Sequence, residues 1–352
     1  MMSEASRDVP RGALVVCSDA NWLWQSAFVL RQAIESDPSG LLDFYYAADF
    51  DVASSPLARV IHPRVRCLNL GAGLEEVRYD ENAHIPKATF LRFLAIEMLS
   101  QDYERVIYVD ADVFLSWGTW VDLLRVPLGK RAVAAVHARA IWFNSARARY
   151  GRRHRQALGS NIGDNYLNAG MLLINSSAYQ NAKLSQKALD FFSRNPDLCA
   201  MGDQSALNAV LDGDWDALSP SWNWQVSPFN FPALSLFNPR VIHFTGPFKP
   251  WNENNGLFTR ARNAMASFLG EYDLRSLLPD PPVVSRRWRA ARRAAKFRED
   301  WFGNEEDKLA RFDRYLERRD FIDTEIGLEP FDQSDSGFGS ISTLTNKASP
   351  GL

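Results

Sequence analysis

Wholly apolar runs in this chain are short and end on turn formers. Ala13-Leu14-Val15-Val16-Cys17 is followed at once by Ser18, Asp19 and Asn21, the pattern of a strand buried on both faces, with a helix expected from there to about Ile34. Phe44 to Ala47, Val65 to Leu68 and Val106 to Val109 read as further strands, separated in places by segments of helical period. This alternation predicts an α/β fold, a mostly parallel sheet with helices on its faces. Pro86 to Leu99 predicts a helix that opens on proline and carries Phe90, Leu91, Leu94 and Met98 as its apolar face. Met171 to Ile174 and Arg240 to Ile242 read as strands, Lys183 to Phe192 and Gln204 to Leu211 as helices. The fold core is expected to end near Leu269.

Patterning changes at Pro279-Asp280-Pro281-Pro282. The chain therefore divides into a polar N-terminal tail (1–12), an α/β domain (13–279), a basic helical extension (280–330) and a tail (331–352) whose Ser, Gly, Asp and Thr content predicts disorder. Within the extension, Arg286 to Arg298 holds seven basic residues around Trp288 and Phe297, and no acid. A basic, aromatic-bearing helix suits an anionic membrane surface, at roughly 1 kcal/mol per cation close to it. A solvated charged helix that packs by one edge accounts for the same composition equally well.

At 352 residues, with 46% apolar and 12% aromatic side chains, the chain has ample material for a core, and disorder of the whole is excluded. A formal net charge of −2 gives no global attraction to nucleic acid, so an electrostatic partner must meet a local patch. Cys17, Cys67 and Cys199 are odd in number and widely spaced, which fits a reducing compartment. The first apolar run is too short for a signal-peptide core, and none approaches the roughly 18 residues of a spanning helix. A cytoplasmic protein is expected, free or peripheral on the inner membrane face.

Chemistry-bearing residues gather in segments far apart in sequence. Asp110 and Asp112 follow Val106 to Val109 and so emerge at the C-terminal end of a buried strand, the edge where open α/β sheets bind ligands. Period two sets both on one face if the strand continues, and two close carboxylates repel unless a cation or proton lies between them. A hard divalent metal resolves that conflict. His243 follows another short strand and precedes Gly246-Pro247, with Lys249 beyond. Carboxylates with one imidazole suit Mn²⁺ better than Ca²⁺, with Mg²⁺ also compatible. Taken singly, each has an ordinary explanation: Asp110 and Asp112 a capped strand end, His243 a packed side chain, Arg92 an exposed helix cation, Asp203 a helix N-cap, Asn168 and Gly170 a turn before Met171.

Together the segments Tyr108 to Phe114 (YVDADVF), Asn168 to Asn175 (NAGMLLIN), Gly202-Asp203-Gln204 with Leu207-Asn208, and His243 to Trp251 (HFTGPFKPW) resemble glycosyltransferase family 8 in order and spacing. The resemblance covers roughly Ala13 to Asn252. It implies a GT-A fold with a mixed, mainly parallel sheet, a UDP-sugar donor, Mn²⁺ on the diphosphate, and hexosyl transfer with retention to an acceptor hydroxyl. UDP-glucose or UDP-galactose is the implied donor, and a lipopolysaccharide core or another glycan or lipid-linked acceptor the implied recipient. Asp110, Asp112 and His243 are similar to the family's metal ligands, with Ala111 between the aspartates on the donor; Gly246 and Lys249 to its phosphate loop; Asp19 and Asn21 to its uracil and ribose contacts; Arg92 to a helix arginine supporting the donor site. Asn168 and Gly170 match the sugar-side motif. Asp203 and Gln204 match the pair beside the anomeric carbon, Gln204 stabilising positive charge through its carbonyl and Asp203 orienting sugar hydroxyls. In the family picture the acceptor attacks from the face of the leaving phosphate, which takes its proton; Asp203 as covalent nucleophile is the lesser reading. One departure stands out: Ala134-Ala135-Val136-His137-Ala138 lacks the acid that many members carry there to contact the donor sugar, leaving His137 to supply part of that contact.

Two other readings fit an α/β nucleotide fold. A sugar-1-phosphate nucleotidyltransferase needs a glycine-rich, basic loop straight after the first strand, and Ser18 to Trp24 has neither glycine nor cation. A non-catalytic nucleotide-sugar-binding protein sits poorly with Asp110, Asp112, His243, Gln204 and Lys249 all in place.

Overall fold

The computed structural model describes residues 9–75, 77, 86–142, 146–226, 238–247, 249–252, 258–278, 290, 293 and 305–323. The first eight residues and the tail 331–352 lie outside these; of the basic stretch 286–298 only Ala290 and Arg293 are included, both helical and exposed.

The apolar runs of the sequence form strands in chain order: β1 (Gly12–Cys17), β2 (Leu42–Ala48), β3 (Val65–Asn69), β4 (Arg105–Val109), β5 (Val113–Leu115), β6 (Val133–His137), β7 (Leu167–Asn175), β8 (Asp216–Ala217), β9 (Trp224–Gln225) and β10 (Val241–His243). The main sheet runs β3-β2-β1-β4-β7-β6-β8. Its first four strands are parallel, β7 enters antiparallel between β4 and β6, and β8 is parallel to β6. β5, β10 and β9 make a small second sheet.

All six residues of β1 are buried, as a run without a polar side requires when both faces are covered. Leu14, Val16, Phe44, Tyr46, Ile107 and Val109 belong to a core shared with helices Leu23–Glu35 and Thr259–Gly270; Val15, Tyr45, Val106 and Tyr108 belong to one shared with helices Leu91–Leu99, Leu184–Arg194 and Asp203–Leu211. Period two along each strand thus feeds two cores, one on each face of the sheet.

Three elements depart from the expectations of periodicity. The helix after Pro86 begins as a 3-10 turn, Lys87–Phe90, and becomes α-helical at Leu91. The tighter turn changes the phase of the α-helix beyond it, so Phe93, Ile96 and the charged Arg92 face inward while Met98 is 43% exposed. Asn168, Ala169 and Gly170 lie inside β7, not in a turn before it, opposite a break in register between Ala135 and Val136 of β6. Finally, the core continues past Leu269. Phe312 of helix Glu305–Glu317 is fully buried, its ring 6.0 Å from Trp142 and 5.4 Å from Trp224. After it, Ile322 N donates to Ala217 O (3.0 Å), and Asp323 Oδ1 accepts from Ser219 N (2.8 Å), so the chain covers the free edge of β8. Trp142, Trp224 and Phe312 fall on irregular or charged stretches, where periodicity gives no warning of burial.

Cys17 and Cys199 are buried, Cys67 is exposed, and all three are free thiols. Among the described residues no helix is long and apolar enough to cross a membrane.

Candidate active site

β4 stops at Val109, so strand periodicity does not bring the aspartates together. A turn over residues 111–112 sends the chain into β5, which pairs antiparallel with β10 in the register Val113↔His243. Phe244 N then donates to Asp112 O (2.9 Å) while Asp110 N donates to Gly170 O of β7 (2.9 Å). Each aspartate is thereby held by a different sheet, and the small sheet delivers His243 between them.

Ligand atoms of Asp110, Asp112 and His243 lie within 4.8 Å of one another. His243 Nε2 is 3.2 Å from Asp112 Oδ1 and 3.7 Å from Asp110 Oδ2. On its other side the ring's Nδ1 meets Asn223 Oδ1 at 2.8 Å. Lys249 Nζ pairs with Asp112 Oδ2 and donates to Phe244 O. Burial works against ionising Asp112, yet the Lys249 ammonium and His243 together hold its carboxyl well below the usual range. Gly170 forms the floor: a Cβ there would lie 2.6 Å from His243 Nδ1 and 2.9 Å from Asp110 Oδ2, so a side chain would collide with two of the three candidate ligands. Two carboxylates and one imidazole around a space kept clear by glycine suit a hard or borderline divalent cation.

Arg92 is not an exposed helix cation. It is 6% exposed and lies beneath the cluster, with Nη2 donating to Asp110 Oδ1 (3.1 Å), Nη1 to Ala169 O (2.5 Å) and Nε to Thr89 O (3.2 Å). Its guanidinium rests 4.4 Å from the centre of the Tyr108 ring, and Tyr108 OH donates to the same Asp110 oxygen (2.6 Å). Asp203 Oδ2 lies 2.8 Å from Arg92 Nε as an ion pair, without a directed hydrogen bond of its own. Gly202, at φ +56°, is the N-cap of helix Asp203–Leu211, so Asp203 sits in the first helical turn and not at the cap. Burial pushes its carboxyl up to about 6, Arg92 opposing and Asp110 adding to the rise. With every group ionised, three carboxylates face two cations here, and a divalent ion would turn that negative excess positive toward a diphosphate.

A row of amides leads away from His243. Asn223 Nδ2 donates to Asn168 Oδ1 (2.8 Å), which also accepts from Gly170 N (3.1 Å). Asn168 Nδ2 donates to Gln204 Oε1 (3.0 Å), which also accepts from Ala169 N (3.2 Å), and Gln204 Nε2 reaches Tyr166 OH (3.4 Å). Both lone pairs of the Gln204 carbonyl are thus engaged by N–H donors, so in this arrangement the expected free carbonyl is turned inward.

Asp19 caps the turn Ala20–Trp22 through Asn21 N (2.9 Å), and Asn21 is exposed at the same C-terminal edge of β1. The loop after β10 turns at Gly246, whose φ of +78° excludes most side chains, and is pinned beyond Lys249 by Trp251, packed edge-on against Trp22 (5.2 Å) and Trp24 (5.8 Å). Lys249 Nζ lies 5.7 Å from the Trp22 ring centre. His137 stands apart: it is 2% exposed, with Nδ1 3.1 Å from Tyr315 OH and its ring 4.6 Å from Trp215, and burial and Arg319 push its pKa down to about 3. It is a neutral packed histidine rather than a group offered to the cleft.

Sequence patterning does not single out Asn223 or the Tyr108 hydroxyl. The signal for Asn223 is faint, an amide flanked by Trp222 and Trp224 and wholly buried.

The profile of the family described as Glycosyl transferase family 8 matches residues 14–255. General stress protein A of Bacillus subtilis is 27% identical over 191 residues, 49% of this chain and 62% of that protein, so the chain spans less than two thirds of that relative. The lipopolysaccharide 1,2-glucosyltransferase of Escherichia coli is 24% identical over 250 residues, 67% of this chain and 71% of that protein. Among solved structures, the galactosyltransferase LgtC with donor and acceptor sugar analogues superimposes with a TM-score of 0.57 at 18% identity, covering 79% of this chain and 99% of that one. At such identity the likeness is one of fold, the GT-A fold.

Proposed function

The chain belongs to Glycosyl transferase family 8, and on that premise we propose that it transfers a hexosyl group, glucose or galactose, from a UDP-sugar to a glycan hydroxyl with retention of configuration. The observation that carries this reading is the convergence of Asp110, Asp112 and His243 within 4.8 Å, with Lys249 on the same carboxylate, at the C-terminal edge of the sheet. A lipopolysaccharide core is the acceptor we favour, because relatives named as lipopolysaccharide glycosyltransferases match along 67% and 47% of this chain.

Asp110, Asp112 and His243 would hold Mn²⁺ or Mg²⁺, which when bound supplies Lewis-acid contact to the diphosphate. Lys249 gives the site a second cation; its ammonium now rests on Asp112 and is free to turn to phosphate oxygens once that carboxylate is otherwise engaged. Gly246 lets the loop carrying Lys249 approach the phosphates, and Asp19, Asn21 and the backbone of Ala111 line the nucleoside end. Arg92 fixes Asp110 and Asp203 without reaching donor itself. On the sugar side, Asn168, Gly170 and Gln204 bound the anomeric region while Asp203 orients hydroxyls. Its clamp on Arg92 and its burial argue against a covalent nucleophile. The same-face route asks only that the leaving phosphate accept the acceptor's proton.

Calorimetric titration with UDP, UDP-glucose, UDP-galactose and GDP-mannose, with Mn²⁺ and with the metal chelated, tests this. Metal-dependent binding of the UDP compounds, lost in Asp112→Ala, is expected. Binding that ignores chelation, or no binding of any UDP compound, overturns it.

A further inference from the structure

The row of amides between His243 and Tyr166 has its orientation set by two backbone groups. Ala169 N and Gly170 N can only donate, so the atoms they face, Gln204 Oε1 (3.2 Å) and Asn168 Oδ1 (3.1 Å), must be carbonyl oxygens. Asn168 Nδ2 is then the atom turned to Gln204 (3.0 Å). Because Asn168 Oδ1 accepts, the Asn223 atom beside it at 2.8 Å must be Nδ2, which leaves Asn223 Oδ1 toward His243. An oxygen 2.8 Å from Nδ1 requires a proton on Nδ1. The proton on Nδ1 is therefore the one the ring keeps: when Nε2 gives up its own proton, as it must to bind a cation between Asp110 and Asp112, the ring is left as the Nδ1–H tautomer with the Nε2 lone pair facing that space. Asn223 is fully buried and His243 is 4% exposed, so no water competes for these contacts.

We infer that Asn223 is a positioning residue: it holds His243 in the Nδ1–H tautomer that makes Nε2 a metal ligand, and through Asn168 it ties that choice to the orientation of Gln204. The metal cradle and the sugar-side amide are therefore two ends of one hydrogen-bonded row, in which every donor points from His243 toward Tyr166. Reversing any member forces two oxygens or two N–H groups together in a buried place. The part concerning metal and sugar rests on the function proposed above; the tautomer does not.

Two variants separate the halves of this role. Asn223→Ala removes the acceptor for Nδ1–H and the donor to Asn168 together. Asn223→Asp keeps an acceptor for Nδ1–H but loses the donor to Asn168, and its near-identical volume guards against collapse of the site. The primary readout is the ¹⁵N spectrum of histidine-labelled protein with neither metal nor donor, recorded over a rising pH series until the ring has lost its second proton, where the His243 tautomer is read directly. The Nδ1–H form is expected in the wild type and in Asn223→Asp, and a tautomer mixture in Asn223→Ala. Mn²⁺ titration should then show affinity about 10–100-fold weaker in Asn223→Ala, the effect usual for losing a partner behind a metal-ligating histidine, and within a few-fold of wild type in Asn223→Asp. Hydrolysis of the UDP-sugar at saturating Mn²⁺ should fall at least tenfold in Asn223→Asp, through the loosened Asn168 and Gln204. An Nε2–H tautomer in the wild type overturns the inference, as does an unchanged tautomer in Asn223→Ala, or equal loss of Mn²⁺ affinity in both variants. If the wild type shows the Nδ1–H form yet binds neither Mn²⁺ nor UDP, the proposed function fails while the positioning of His243 stands.

Discussion

Replacing Arg92 with methionine keeps the stem that packs in helix Leu91–Leu99 and removes only the guanidinium. In the native protein that group is 6% exposed and faces Asp110 at 3.1 Å and Asp203 at 2.8 Å. Removing one partner from a buried ion pair costs about 3–5 kcal/mol, since the charge left behind has neither water nor counterion. At pH 7, above the value to which Asp203 is raised, Arg92→Met should lose that amount, a large share of the ~5–15 kcal/mol available to a domain. The pH dependence follows from Asp203, which burial raises to about 6. A carboxyl whose pKa is higher folded than unfolded contributes stability below its unfolded value and loses it as pH rises through the folded one. At pH 5 Asp203 is mostly protonated already in the wild type, so its share of the cost is gone and the substitution should cost only about 2 kcal/mol. Without Arg92 the carboxyl rises further, so the variant goes on losing stability above pH 6. Urea unfolding of both proteins at pH 5, 6 and 7, compared at equal denaturant slope, measures this. A difference below 1 kcal/mol at pH 7, or one that does not change with pH, would refute the argument that Arg92 compensates the buried Asp203 and the partly buried Asp110.

Other outcomes rest on the same geometry. Between pH 4 and 6 the wild type should lose about 2 kcal/mol through Asp203, and Asp203→Asn should abolish that slope; urea midpoints across this window that coincide in shape for the two proteins would contradict it. Gly170→Ala should weaken Mn²⁺ binding at least tenfold, because a Cβ 2.6 Å from His243 Nδ1 and 2.9 Å from Asp110 Oδ2 must displace ligands that tolerate only about 0.2 Å; an unchanged affinity by electron paramagnetic titration would show that the floor is not tight. Phe312→Ala should destabilise by about 3–5 kcal/mol and shift tryptophan emission to the red as Trp142 and Trp224 meet water, whereas wild-type stability would remove the C-terminal helix from the core.

Strands β1, β2 and β4 are legible in the sequence because each is a short run whose apolar content exceeds its surroundings, and parallel strands covered on both faces read as such runs; β3, an edge strand with no fully buried residue, shows only through Val65, Cys67 and Leu68. The site is legible where chemistry clusters along the chain, as in Asp110 with Asp112 and in His243 with Lys249. What periodicity misjudges is the cause of their meeting. Two residues of alternation suggest one strand face, whereas a turn and a second sheet bring the groups together, and a three-strand sheet of two- and three-residue segments leaves almost no pattern to read. Arg92 illustrates a different limit. A charge in an amphipathic helix is assigned outward unless its partners are known, and its partners Asp110 and Asp203 lie on separate elements. The C-terminal helix is hidden for a similar reason, since Glu305–Glu317 is highly charged and Phe312 and Tyr315 anchor it through burial.

That late anchor has a consequence for the order in which the protein is made. Trp142 and Trp224, 5.4 Å apart, belong to parts of the chain that leave the ribosome well before Phe312, the side chain that covers them. At roughly 5–20 residues per second, the interval from Trp224 to Phe312 leaves those indoles uncovered for ~4–18 s. Over the same interval β8, whose edge later receives Ile322, offers an unpaired backbone to any neighbouring chain. The nascent protein therefore has Asp110, Asp112 and His243 already synthesised while the flank at β8 is still adhesive. Slow decoding across residues 225–311 lengthens that exposure, and a chain released before residue 323 never ends it.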